Sequence, residues 1–229
     1  MSRRITTIFD HAFPDTPEWN AITEAWPADV VKEMLTLVWE GFDQMKSGLL
    51  SRVDFSQPLN QLERTLTDSH ATAITLLWKA NSGGFGSFLP KHEAWEPTGI
   101  ENPSAMPPSY DIGFENVNDP RLRWPVEAKV LGRPSDVQRY LGDLRVKYLK
   151  GVGAPFSTQA ALVGYLREGE PVDVILTLQS QPDMDFKPLP LFRKRFHYIT
   201  EHPRSVPGIN NGSAHQFICH HLIAPLISK

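Results

Sequence analysis

Ser109-Tyr110-Asp111-Ile112-Gly113-Phe114 and Val126-Glu127-Ala128-Lys129-Val130 are the two stretches whose reading decides the fold. Each is a short apolar run with charge set into it. Asn116-Val117-Asn118-Asp119-Pro120, between them, has the composition of a turn. The pair predicts two strands, at 109–115 and 122–131, joined as a hairpin. Glu127 and Lys129 are two apart, so on a strand they share a face. The hairpin brings Asp111 to the same end of the sheet. Two carboxylates and an ammonium together suit a hard divalent cation with a cationic helper. Pro125 lies inside the second strand and predicts a bulge or an edge there.

Helical patterns precede this hairpin. From Glu18 to Lys46 the apolar residues Val30, Val31, Met34, Leu37, Val38 and Phe42 recur at helical spacing. Pro27 suits a helix start. A second helix is expected from Pro58 to Ala80, stopped by Asn81-Ser82-Gly83-Gly84. Short strands are expected around Phe85–Leu89 and Ala94–Glu96. After the hairpin, Pro134 to Leu149 reads as a helix with Val137, Tyr140, Leu141, Leu144 and Tyr148 as its apolar stripe. Ala160–Leu166 reads as a buried strand and Val172–Leu178 as a short helix or strand. Phe192–Glu201 and Ala214–Ile223 read as late strands. This order predicts a mixed α/β fold with helices beside a central sheet.

The chain has 229 residues, of which 41% are hydrophobic, enough for a sizeable core. Its net charge of -3 gives no global support for unaided nucleic-acid binding. Basic residues do gather between Arg133 and Lys150. The single cysteine, Cys219, forbids an internal disulfide framework, and no apolar run approaches a membrane span. A cytoplasmic protein without membrane attachment is the expectation.

A phosphodiester repels nucleophiles, so its hydrolysis needs an activated water, charge relief on the phosphoryl oxygens and help for the leaving oxygen. Mg²⁺ supplies all three. Asp111 and Glu127 are the expected ligands, with the Ala128 backbone carbonyl as a third. Lys129 is expected to orient the water or stabilise developing charge.

With its apolar flanks Val126 and Val130, this set resembles the PD-(D/E)XK motif of restriction-endonuclease-like nucleases. The helix carrying Tyr140 and Tyr148 and the buried strand at 161–166 are similar to that family's core. The likeness covers roughly residues 58–222. It implies a mixed central sheet flanked by helices over 58–229, with 1–57 as a helical extension packed on it. It also implies Mg²⁺ (with Mn²⁺ as a substitute), DNA as the substrate, and a role in restriction or anti-phage defence. An upstream helix in that family often carries a further acid near the metal; Glu63 is the match here. Gln138 lies where some of these nucleases carry a nucleic-acid-contacting Gln. Two departures stand out: Tyr110 replaces the motif's Pro, and Gly142 breaks a Gln-x-x-x-Tyr spacing. The acidic balance implies a partner subunit or homo-oligomer that supplies grip. The alternative is an inactive nuclease-fold binding or regulatory subunit. A weaker alternative is an interaction protein that docks a partner on the Val30–Phe42 stripe.

Other residues rank lower. His202 and Arg204, at a late strand's end, could contact phosphate. The eight histidines lack compact zinc-site spacing. Cys219, between Ile218 and His220, reads as a buried inert thiol. The tryptophans read as core, with Trp95 and Trp124 able to stack on a base only as a second choice.

Overall fold

The computed structural model describes residues 17–81, 86–95, 109–133, 136–206, 209 and 213–226. Its helices are α1 (Trp19–Glu24), α2 (Ala28–Gly48), α3 (Leu59–Asn81), α4 (Asp136–Asp143) and α5 (Pro171–Gln179). Its strands are β1 (Phe88–Trp95), β2 (Ser109–Asn116), β3 (Arg123–Leu131), β4 (Gln159–Leu166), β5 (Lys187–Pro188), β6 (Phe196–Arg204) and β7 (His215–Pro225). They form one seven-stranded mixed sheet in the order β1-β2-β3-β4-β7-β6-β5. The β3–β4 and β4–β7 pairs are parallel and the rest antiparallel.

Helices cover both faces, as an α/β fold requires. On one face α2 and α3 bury Met34, Val38, Phe42, Leu66 and Ile74 against Val126, Ala128 and Val130 of β3. On the other, α4 and α5 bury Tyr140, Leu141, Leu144 and Ile175 against Leu131, Leu162 and Phe217. The Val30–Phe42 stripe is therefore largely core rather than a docking surface: Val31, Met34, Leu37, Val38 and Phe42 are all buried. α2 and α3 cross closely at Gly41, where a Cβ would stand 2.5 Å from the Ile74 side chain.

Several expectations are refined. The first helix is broken before Ala28, with Pro27 capping α2. One strand, β1, replaces the two short ones; Phe85 and Glu96 lie outside the described residues. Pro125 makes no bulge. It pairs with Gly113 of β2, and β4 joins β3 only from Val126, so at Pro125 β3 is an edge on that side. The 172–178 segment is helical. α4 ends at Asp143 and continues as a π-helical turn, Leu144–Tyr148, in which Leu149 N–H bonds the Leu144 carbonyl. Among the described residues no helix is long and apolar enough to cross a membrane.

His202 and Arg204 do not face solvent. Both are buried. The Arg204 guanidinium donates to the Ser157 and Ala154 carbonyls and lies over the Phe217 ring, 4.6 Å from its centroid. An inward strand end, rather than an open one, removes both from the phosphate-contacting set. Trp124 is likewise fully buried and cannot stack on a base.

Four of the buried histidines, His197, His202, His220 and His221, form two directional hydrogen-bond chains. Trp39 Nε1–H donates to His197 Nδ1 at 3.1 Å, so His197 Nε2–H donates to His220 Nδ1 and His220 Nε2–H to Gln159. His202 Nε2–H donates to Thr200, whose hydroxyl donates to His221 Nε2; His221 Nδ1–H meets Tyr140 Oη, which donates to the Leu162 carbonyl. His197, His220 and His221 each use one nitrogen as donor and one as acceptor, the pattern of neutral imidazole. Burial holds these rings neutral. His220 is pushed down to about 3, and His197 to about 2 with His220 and His221 adding repulsion. The unfolded chain protonates below its ordinary value of 6.5, while the fold cannot follow. The histidines' contribution to stability is therefore full above pH 6.5 and falls as pH drops below it, by up to about 1.4 kcal/mol per pH unit for each such histidine. Chemical denaturation measured at intervals between neutral and mildly acidic pH checks this; a flat profile refutes it.

Candidate active site

The site lies where the sheet forks. β2 and β3 pair from Glu115↔Arg123 to Ile112↔Val126 and then part. β2 continues beside β1 to Trp95↔Ser109, while β3 continues beside β4 to Leu131↔Leu166. Beyond the fork, the β3 backbone groups that face β2 have no strand partner and need other ones.

Acidic side chains supply them. Ala128 N–H donates to Asp111 Oδ2 at 2.7 Å. Two residues on, Val130 N–H donates to Glu63 Oε2 at 3.1 Å. Cations take the carbonyls: Lys129 Nζ donates to the Ala128 oxygen at 2.9 Å and Arg139 Nη2 to the Val130 oxygen at 2.9 Å. The fork thus gathers Asp111 from β2, Glu127 and Lys129 from β3, and Glu63 from α3.

α4 and the π turn that continues it add three residues to this set, at every fourth position. Arg139 Nη1 lies 2.8 Å from Glu63 Oε2. Asp143 Oδ2 lies 2.9 Å from Lys129 Nζ. Lys147 Nζ donates to Glu127 Oε1 at 2.8 Å. Lys129 completes the network at 3.3 Å from Glu63 and 3.9 Å from Glu127. Asp143 and Lys147 were not expected from the sequence. Their signal was the charge column Arg139-x-x-x-Asp143-x-x-x-Lys147, one position ahead of the apolar column Tyr140, Leu144, Tyr148.

Glu127 is the electrostatic focus, with only 2% of its surface exposed. Burial pushes its carboxyl up to about 8, the Asp111 charge adds repulsion, and Lys147 opposes both. Burial alone would lower Lys129, but Asp143 and Glu63 outweigh it and hold the ammonium above its ordinary value.

The donors are all hard oxygens, the kind Mg²⁺ prefers. Among the described residues no three His, Cys, Asp or Glu side chains converge as a cage for an ion. Mg²⁺ needs only one or two carboxylates and keeps several waters. Asp111 and Glu127 are the two carboxylates that would hold such an ion; burial first, and then the Asp111 charge, raises the Glu127 carboxyl, and a divalent cation would offset both. The Ala128 carbonyl, expected as a third ligand, accepts a hydrogen bond from Lys129 Nζ at 2.9 Å.

Gln138 is exposed and bonds Gln181 of the segment after α5, apart from this network. Cys219 is buried and burial raises its thiol, as an inert residue requires. No known protein family, no curated protein and no solved structure matches the chain.

The raised Glu127 carboxyl has a consequence for stability. Between the ordinary value of 4.5 and about 8 the folded protein keeps a proton that the unfolded chain releases. Glu127 therefore subtracts stability as pH rises through that window, by up to about 1.4 kcal/mol per unit. The stability of Glu127→Gln relative to wild type should climb from mildly acidic pH to about 8 and level off above it. Paired urea titrations in the absence of metal measure the difference; a constant difference would mean that Glu127 stays ionised throughout.

Proposed function

We propose that this protein is a Mg²⁺-dependent nuclease that hydrolyses phosphodiester bonds, with DNA as the substrate. The observation that carries the reading is the fork, which brings Asp111 and Glu127-x-Lys129 together. The succession α3–β1–β2–β3–α4–β4 around it is the order that the resemblance to PD-(D/E)XK nucleases implies. A restriction-endonuclease-like fold and a defence role belong to the same proposal.

Asp111 and Glu127 would hold the ion. Bound there, Mg²⁺ supplies charge relief on the phosphoryl oxygens and lowers the pKa of a bound water. Lys129 is the residue placed to orient an attacking water, since its ammonium already sits among the site's oxygens. Glu63 and Asp143 fix that ammonium. The net charge of -3 favours a partner subunit or homo-oligomer that strengthens the grip on DNA.

One observation favours a second reading, an inactive binding or regulatory subunit. Asp111, Glu63, Glu127 and Asp143 each already have a backbone or cationic partner. A metal titration separates the readings, because the inactive subunit binds neither Mg²⁺ nor Mn²⁺.

The activity test is cleavage of plasmid DNA with Mg²⁺, repeated with chelator. Asp111→Asn is the informative variant. Its amide oxygen still accepts from Ala128 N–H, so the fold is kept while the charge is lost. We expect cleavage to fall by about 10²-fold or more in Asp111→Asn and in Lys129→Ala. Cleavage unchanged in both would sink the site.

A further inference from the structure

Two ammoniums occupy the carboxylate cluster, and they are held differently. Lys129 is 13% exposed and pinned by the Ala128 carbonyl, Asp143 and Glu63. Lys147 is 32% exposed, with Glu127 at 2.8 Å as its one close acid and Asp143 farther off at 3.7 Å. A lysine ammonium on a flexible four-carbon stem, near solvent and bound at one point, is free to swing away. Lys129 has no such freedom.

The backbone at Lys147 is also unusual. It lies in the π-helical turn Leu144–Tyr148 that ends the helix. π turns are rare and frequently lie at functional sites. Here the turn keeps Leu144 and Tyr148 in the core while Lys147 reaches Glu127. Without Lys147, a nearly fully buried carboxylate would face Asp111 with Lys129, 3.9 Å away, as the remaining ammonium among the described residues.

We propose that Lys147 is a positioning residue whose ammonium holds Glu127 in the absence of metal and is displaced when the ion enters. The proposal rests on the metal reading given above. Lys147 keeps the ligand in place and competes with the incoming cation for the same oxygen. Metal affinity is thus lower than the two carboxylates alone would give. Once displaced, the ammonium remains on the π turn at the edge of the site.

The test is calorimetric titration of the full chain with Mn²⁺ at one fixed pH for every variant. Wild type is compared with Lys147→Gln, Lys147→Met and Lys147→Arg. Lys147→Met keeps the aliphatic stem and covers the case in which Lys147→Gln does not fold. We expect the two neutral variants to bind Mn²⁺ about tenfold more tightly than wild type, and Lys147→Arg to bind as wild type does. Thermal unfolding without metal should show the neutral variants less stable than wild type, and Mn²⁺ should raise their melting temperatures by more. A merely structural lysine would lower stability without tightening the metal. Equal or weaker Mn²⁺ binding by the neutral variants, beside clear binding by wild type, overturns the role of Lys147 and leaves the metal site standing. No binding by wild type overturns both.

Discussion

The parting of β2 from β3 after the Ile112–Val126 pair is the constraint on which the rest of the site depends. It leaves the Ala128 and Val130 amides on the open side of β3. A buried amide without an acceptor costs roughly 1–3 kcal/mol. Among the described residues no strand pairs with β3 at these two, because β2 has turned away with β1. Only side chains arriving from either side can close the gap, and Asp111 and Glu63 do so. Their positions then fix those of the cations. Lys129 and Arg139 take the matching carbonyls and contact the same acids.

The surrounding packing makes this network expensive to leave unbalanced. Glu127 lies between the sheet and α4, where burial disfavours its charge and Asp111 adds to the penalty. Compensation comes from α4, whose charged column meets Glu63, Lys129 and Glu127 in turn. The column stays aligned because the helix widens into a π turn before Tyr148. The apolar column beside it remains in the core. One helix therefore serves both core and site, and a shift in its register would disturb both.

Much of the frame was legible in the sequence. The alternation around Asp111 and Glu127 gave the two strands, and Glu127-x-Lys129 gave their shared face. Helical spacing located α2 and α3, though not the break before Ala28. The fork itself was not legible, since the loss of a strand partner leaves no mark on local pattern. Asp143 and Lys147 were passed over because α4 was read only through its apolar stripe. His202 and Arg204 looked like a polar strand end. Their burial depends on the Ser157 and Ala154 carbonyls and on Thr200, partners that only the folded chain brings near. The histidine chains were hidden for the same reason, since their links join residues as far apart as Trp39 and His197.

An amide at a forked sheet can be capped without charge. Asn, Ser or Thr would accept the same hydrogen bond and carry no ionic desolvation cost. This chain instead places Asp111 and Glu63 there, beside Glu127 and Asp143, and must hold them with Lys129, Lys147 and Arg139. Part of the cost survives the compensation, since the Glu127 carboxyl remains raised to about 8. Replacing such a network with neutral groups is often neutral or stabilising. A buried charge network that neutral groups could replace is a functional-site candidate. That excess of charge, more than the spacing of any three residues, favours the metal-binding reading over a purely structural one.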